Sequence, residues 1–337
     1  MPLTPPPATP LAPAPAPAPR KLAMLGRGSA AECYLAAIEA DPAFALGAVC
    51  DLDEAAPAGS RAVGVPTYRE HRALLAAHHD LGGAVVAGLG GAHAALCRDL
   101  LAAGLPVCVE QPLTAELSDA RALTAIAAER SLVLFTAFRH RYNSAVLELL
   151  RACAGGSVSK VRVRQVERSE QRQGQDAWHL APPRRSGGGV ATDGPAAFDL
   201  VRLLFGEAEL SVVRATIHRD PAGLERQAVI DLVTAGPTPR RAKVELDRSC
   251  PGELMAMEVT LADGRVLRAD LPTGATGRAA PLRHEYQGVL TAFGAAIGTA
   301  GSRRDGGLAA LDLVASAYRL DGDAATHVFR PTAVEAR

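Results

Sequence analysis

A chain of 337 residues is long for one domain and comfortable for two, and with 48% hydrophobic and 21% charged residues it can bury a substantial core. Lys plus Arg equals Asp plus Glu at 36 each, a balance that excludes a general electrostatic attraction to nucleic acid or to a membrane surface. The six cysteines, Cys33, Cys50, Cys97, Cys108, Cys153 and Cys250, show no paired spacing, so they read as small hydrophobes in a reducing cytoplasm rather than as a disulfide frame or a metal site.

Residues 1–20, MPLTPPPATPLAPAPAPAPR, alternate proline with alanine and are expected to form an extended, disordered tail without the layout of a signal peptide. No uninterrupted apolar stretch is long enough to cross a bilayer. From Lys21 an apolar run, Leu22 to Leu25, breaks into Gly26-Arg27-Gly28-Ser29-Ala30-Ala31 and passes into helical periodicity. A second apolar run, Leu46 to Cys50, ends on Asp51, about twenty residues past the turn. Strand, glycine turn, helix, strand and terminal acid together make a dinucleotide-binding unit. Gly26 permits the sharp turn, Gly28 lets backbone approach a pyrophosphate, and the helix starting at Ser29 and Ala30 offers unpaired N–H groups to the anion. Ala31 stands at the third glycine position. Asp51 would accept hydrogen bonds from both ribose hydroxyls and repel a 2′-phosphate, which favours NAD; Arg27 beside the turn keeps NADP open.

Strand and helix signals then alternate as a parallel sheet requires. Tyr68 to His79 reads as a helix, Ala84 to Leu89 as a strand, Ala92 to Ala103 as a helix and Pro106 to Glu110 as a strand. Leu117 to Arg130 follows as a helix and Leu132 to Phe138 as the last strand of this unit. The second half reads differently. After a helix at Asn143 to Cys153 and a strand at Val158 to Arg168, a helix follows Gly187 to Gly189. Strands at Leu210 to His218, Gln227 to Thr234 and Arg241 to Asp247 come next, then a hairpin from Met255 to Ala269 turning at Asp263-Gly264. Helices at Arg283 to Ile297 and Gly307 to Leu320 close the chain. The expected class is α/β: a Rossmann domain over 21–140, then an α+β domain over 141–337 with a large, mainly antiparallel open sheet.

Several segments together resemble the glucose-fructose oxidoreductase and inositol dehydrogenase family, Gfo/Idh/MocA. They are the Gly26 turn, AVVAGLGGAHAAL with Gly88 and His93, VCVEQPLT at Val107 to Thr114, FRHRYN at Phe138 to Asn143, GGGVATDGPAAFDLVRLLFGE at Gly187 to Glu207, and GGLAALDLVASAYRL. The resemblance implies an NAD(P)-dependent oxidoreductase of a sugar or cyclitol hydroxyl, with Gly26, Gly28, Ser29, Ala30, Asp51, Gly88, His93, Glu110 and Gln111 around the cofactor. It also implies a lysine in a Glu-Lys-Pro turn and a histidine in an Asp-x-Gly-x-His segment as the catalytic pair. This chain has Glu110-Gln111-Pro112 instead, and Ala196 falls at the histidine position. Both replacements remove proton-handling groups, whose help is worth a factor of about a hundred to ten thousand.

Asp193, His179, Gln111 and Asp199 are the candidate catalytic residues, with His140 and Tyr142 as weaker substitutes. Most have a structural reading as well: Asp193 as a helix cap, His179 as packing at a loop end, and His140 and Tyr142 as marks of the domain junction; Asp199 would position the loop or contact substrate. Lys160, Arg162 and Arg164 alternate along one strand face, and Arg168, Arg172, Arg184 and Arg185 continue into the next loop. If they converge they would suit an anionic substrate; otherwise they are a solvated face. Two further functions stay open. One is a catalytically silent, cofactor-binding partner subunit, and the other is a cofactor-retaining enzyme of elimination or epimerisation. A homo-oligomer through the open sheet is expected.

Overall fold

The computed structural model describes residues 18–26, 28–51, 64–88, 90–167, 188–221, 223–249, 253–271, 279–299 and 306–321. Arg27, Arg168, Arg172, His179, Arg184, Arg185 and Cys250 lie outside them, as do residues 1–17 of the alanine-proline tail.

Six strands form a parallel sheet: β1 (Arg20–Leu25), β2 (Phe44–Cys50), β3 (Thr67–Tyr68), β4 (Gly83–Val86), β5 (Val107–Glu110) and β6 (Leu134–Ala137), in the order β3-β2-β1-β4-β5-β6. The order reverses between β1 and β4, where such folds open a crevice at the carboxyl ends of the strands. Helices α1 (Ser29–Ala40), α2 (His71–Ala77), α3 (His93–Ala102) and α4 (Leu117–Glu129) make the crossovers. Strands β1, β4 and β5 read as unbroken apolar runs because helices cover both faces of the sheet. The helix expected from Tyr68 begins only at His71. Thr67 and Tyr68 instead pair in parallel with Val49 and Cys50, since Pro66 and Tyr68 supply carbonyls that the N–H groups of Val49 and Asp51 need at 2.9 and 3.0 Å.

The second sheet has the order β12-β11-β7-β10-β9-β8, built from β7 (Val158–Glu167), β8 (Leu210–Arg219), β9 (Glu225–Thr234), β10 (Arg241–Asp247), β11 (Glu253–Leu261) and β12 (Val266–Leu271). All pairs are antiparallel except β7 with β10. Alternate residues bury one face under α5 (Ser144–Cys153) and α6 (Gly188–Leu204), with Val161, Val163, Ile230, Val244 and Met257 packed on Phe198, Val201 and Leu149. Asn143 caps α5, its side chain accepting from the Ala145 N–H at 2.9 Å.

The six strands of each sheet come from one side of residue 140, but the helices do not divide there. α7 (Ala279–Gly298) places Tyr286, Val289, Leu290 and Phe293, one helical stripe, on the first sheet against Leu22, Met24, Val85 and the α1 residues Tyr34 and Leu35. α8 (Gly306–Leu320) serves both sheets: Leu311 packs with Leu123 of α4, while Leu313, Val314 and Ala317 join the second core. The closing helices, read from the sequence as part of the second domain, therefore bind the two halves together, because of the sheet's own crossovers only α1 packs on this face and α7 covers the remainder. Phe293 is fully buried with its ring 6.0 Å from that of Phe135. Phe293→Ala is expected to destabilise the protein by about 3–5 kcal/mol, measured by urea unfolding, even though the residue lies far down the chain from the sheet it covers.

Candidate active site

At the carboxyl end of β1 the chain turns at Gly26, whose φ is +105°. A Cβ there would stand 2.6 Å from the N of Gly88 and 2.7 Å from its Cα, so the loops after β1 and β4 meet backbone against backbone. The Gly26 N–H donates to the Cys50 carbonyl at 2.9 Å, which brings the turn beside Asp51 at the end of β2. Gly28 is the N-cap of α1, and no side chain among the described residues caps the helix; the amides from Ser29 and Ala30 onward are the orphan donors of a helix start. Register and hydrogen bonds thus gather Gly26, Gly28, Ser29, Ala30, Asp51 and Gly88 along one edge. A cradle this closely apposed, with bare helix amides and an acid beyond it, fits the phosphates and ribose of a dinucleotide.

His93 opens α3 and is buried, 1% exposed. Its Nδ1 lies 3.0 Å from the Pro112 carbonyl and its Nε2 3.2 Å from the Gly88 carbonyl. Burial pulls the imidazole below its ordinary pKa, against the upward pull of these carbonyls. The ring therefore pins the β4 and β5 loops together from behind rather than reaching into the crevice. Glu110 ends β5, and its Oε1 accepts from the Tyr34 hydroxyl at 2.9 Å. Burial pushes the Glu110 carboxyl up to about 7, offset in part by that hydrogen bond and by the charge of Arg139. The next residue, Gln111, has its Oε1 buried with no hydrogen-bond partner among the described residues.

Beyond β6, residues 139–142 form a short helical turn dense in charge. Arg139 and Asn143 both donate to Glu285 of α7, which is 1% exposed; the Asn143 contact is 2.6 Å. His140 has its Nδ1 4.0 Å from Glu285, and burial with Arg139 nearby holds it well below the usual histidine range. Tyr142 packs under Gly288 of α7, where a Cβ would meet its ring at 2.5 Å. His140 and Tyr142 therefore sit in the seam between the turn and α7.

Asp199, on α6, is fully buried and held in a fork by Arg141, with Nε to Oδ2 at 2.6 Å and Nη2 to Oδ1 at 2.5 Å. Arg141 also donates to Glu207 at 2.5 Å. Burial raises the Asp199 carboxyl to about 6 against the pull of Arg141. This pair ties the end of the first sheet to the helix under the second. Asp193 lies inside α6 rather than ahead of it, so it is not the N-cap. Its Oδ2 accepts from Arg248 Nε at 2.8 Å, and Arg248 also donates to Thr192. The helix start is covered otherwise: Val190 N–H donates to Glu225 at 2.9 Å and Ala191 N–H to the Tyr318 hydroxyl at 3.2 Å. Ala196 is buried, 6% exposed. Lys160, Arg162 and Arg164 alternate on the exposed face of β7, away from α5 and α6, and Arg162 is forked onto Glu245 at 2.9 and 3.0 Å.

Tyr34, Arg141, Arg248 and Glu285 were not among the residues singled out from the sequence. Arg141 lies within the FRHRYN segment, so a signal was present for it. Arg248 and Glu285 carry none, because their partners are 55 and 146 residues away in the chain.

Fold and cradle define a two-domain dinucleotide-binding protein. Residues 20–138, the whole of the first sheet, match the model of the Gfo/Idh/MocA oxidoreductase family's NAD-binding Rossmann fold. Over nearly its full length it is similar to the structure of GenD2 from gentamicin A biosynthesis in complex with NAD. The two are 25% identical, with a TM-score of 0.76 covering 93% of this chain and 97% of that one. The D-galactose-1-dehydrogenase protein of Rhizobium etli shares the fold at 21% identity, TM-score 0.73, covering 91% and 96%. KijD10, a 3-ketoreductase of Actinomadura kijaniata solved with NADP, does so at 19% identity, TM-score 0.67, covering 90% and 98%. A Salmonella typhimurium protein named as the oxidoreductase YceM is 42% identical over 57 residues, 17% of this chain and 19% of its own length. None of the described helices is long and apolar enough to cross a membrane.

The Arg141–Asp199 fork gives a direct test of the seam. Arg141→Met leaves a buried carboxylate without its partner and is expected to cost about 3–5 kcal/mol in urea unfolding. The double change Arg141→Met with Asp199→Leu is expected to recover most of that loss.

Proposed function

We propose that this protein interconverts an alcohol and a carbonyl on a sugar-like or other small polar substrate, with NAD as the preferred dinucleotide and a proton relay that lacks the usual lysine and histidine. The observation that carries this reading is the Gly26–Gly88 backbone contact with Gly28 and Asp51 on either side of it. Gly26, Gly28 and the amides of Ser29 and Ala30 would hold the pyrophosphate, and Asp51 the hydroxyls of the adenosine ribose. Gly88, Glu110 and Gln111 would border the other end, with His93 fixing the two loops that carry them. The bound dinucleotide supplies the hydride acceptor or donor.

Gln111 stands where the resemblance calls for lysine. Its buried, unpartnered Oε1 supports a role as acceptor for a substrate hydroxyl, since such an oxygen is costly unless a donor reaches it. A carboxamide orients but does not titrate. On the second domain the candidate acid–base groups are Asp193, held by Arg248, and His179; Asp199, forked by Arg141, serves position rather than proton transfer. The names of structural relatives, a myo-inositol dehydrogenase of Corynebacterium glutamicum, a D-galactose-1-dehydrogenase and a 3-ketoreductase, favour a polyhydroxylated substrate. Anionic substituents would fall to the arginines of residues 168–185, and a homo-oligomer would form on the exposed sheet face, where Arg162–Glu245, Lys243–Asp231 and Arg268–Glu258 pair across strands.

The loss of both proton-handling residues favours one other reading, a silent subunit that keeps the cofactor and lends its surface to an active partner. Calorimetric titration of the stripped protein with NADH and NADPH, followed by a turnover screen on myo-inositol and D-galactose, separates the two. NADH is expected to bind at micromolar Kd or tighter, NADPH more weakly, and Asp51→Ala to weaken NADH about tenfold or more. Failure of both nucleotides to bind would remove the oxidoreductase reading; tight binding with no turnover of any polyol would favour the silent subunit.

A further inference from the structure

The carboxylates that border the seam between the two halves are almost all held by arginine. Glu285 has Arg139, Asp199 has Arg141, and Asp193 has Arg248. Glu110 is the exception. Its carboxyl meets a neutral donor, the Tyr34 hydroxyl, and no salt bridge joins it to a cation among the described residues. It sits on the last residue of β5, on the α1 side of the sheet, immediately before the glutamine whose side-chain oxygen is buried without a partner. Behind it the surroundings are closed: Tyr34 is fully buried, its ring stacks edge-on against Tyr286 at 4.7 Å, and Cys108 lies 4.0 Å from the Tyr34 hydroxyl. Glu110 itself is partly exposed, at the carboxyl edge of the sheet where the crevice opens.

We propose that Glu110 is the acid–base group of this site, taking over the proton that lysine handles elsewhere in the family, with Tyr34 as the residue that orients its carboxyl. This rests on the oxidoreductase reading above. In the oxidation direction the substrate O–H bond breaks and its proton passes to the Glu110 carboxylate, as the carbinol C–H leaves as hydride to an oxidised nicotinamide dinucleotide and C=O forms. The reverse step returns both. Replacement of a cationic lysine by Gln111 is what makes this chemistry available. A neighbouring ammonium would hold the carboxyl ionised, whereas a carboxamide leaves its charge to be set by its surroundings.

Those surroundings are accounted for from every side. Tyr34 and Cys33 face it from α1, Cys108 from β5, Arg139 from the turn after β6, and Glu285 and Tyr286 from α7. Burial works against the charge; the Tyr34 hydroxyl, the shared charge of Arg139 and the backbone N–H of Gln111 work for it. The balance leaves the group near 7, where an acid–base catalyst is most effective at neutral pH.

The test does not depend on turnover. The protein carrying [13C]carboxyl-labelled glutamate is titrated by NMR with NADH bound, alongside Glu110→Gln to assign the resonance and Tyr34→Phe as a second variant. The Glu110 resonance is expected to titrate near pH 7, to be missing in Glu110→Gln, and to move to higher pH in Tyr34→Phe, which loses a donor to the charged form. Thermal unfolding supplies an independent reading. The folded value lies above the ordinary 4.5, so the stability this group contributes is lost as pH rises from 4.5 to about 7 and is level above that. Wild type should lose stability over that window relative to Glu110→Gln. On any polyol the wild type turns over, kcat/KM for oxidation should rise with pH and level off above about 7, and Glu110→Gln should abolish that inflection and lower kcat about a hundredfold or more. Titration of Glu110 below about pH 5, or an unchanged pH profile in Glu110→Gln, overturns the proposal. If NADH still binds in that case the oxidoreductase reading stands, while loss of NADH binding in wild type removes that reading instead.

Discussion

The backbone-to-backbone approach of Gly26 and Gly88 is the contact on which the rest of the site depends. It exists because β1 and β4 are neighbours at the point where the sheet reverses its winding, and because neither loop carries a Cβ at the place where they meet. Any side chain at Gly26 would push the loops apart, and φ of +105° is in any case a conformation that other residues rarely hold. Everything arranged around that contact follows from it: the bare start of α1 on one side, Asp51 on the other, and His93 behind, reaching the carbonyls of both Gly88 and Pro112. The imidazole acts as a strut because it fills the space between the two loops, donating to one carbonyl from the nitrogen that carries the proton.

A second constraint joins the halves. The segment leaving β6 carries alternating cations, and each is claimed by an acid from a different part of the chain: Arg139 by Glu285 of α7, Arg141 by Asp199 of α6 and Glu207 beyond it. Buried ion pairs of this kind contribute little net stability against a well-packed apolar alternative, but breaking one partner away is costly. Their value here is in specifying one docking of the two sheets. α7 and α8 reinforce it with apolar surface, one by lying wholly on the first sheet and the other by serving both.

The same arginines explain why the carboxyl at the end of β5 is unlike its neighbours. Arg139 is committed to Glu285, so its field reaches Glu110 only at a distance, and Gln111 brings no charge of its own. Glu110 is left with the Tyr34 hydroxyl and the Gln111 backbone N–H, and with burial as the larger influence. Asp199, fully buried and forked by an arginine, has less freedom to change its charge with the chemistry around it.

The sequence by itself determined the nucleotide-binding half almost element by element. A strand of apolar residues, a turn of two glycines and an acid twenty positions on constrain each other locally, through φ, through steric access and through strand length, so Gly26, Gly28 and Asp51 were legible without neighbours. The two sheets and their strands other than β3 were legible for the same reason, since alternation and apolar runs record which face is buried. Only the tertiary structure decided what each buried face is buried against. Periodicity marks the stripe of Tyr286, Val289, Leu290 and Phe293 but does not say that it covers the first sheet, and it began a helix at Tyr68 where a backbone pairing with β2 won. The polar site followed the same division: Asp193 could be picked out as an acid near a missing histidine, but its capture by Arg248, 55 residues on, is a fact of packing. The environment of Glu110 is likewise assembled from α1, β5, the turn after β6 and α7, and a charge set by four separate elements has no signature in any one of them.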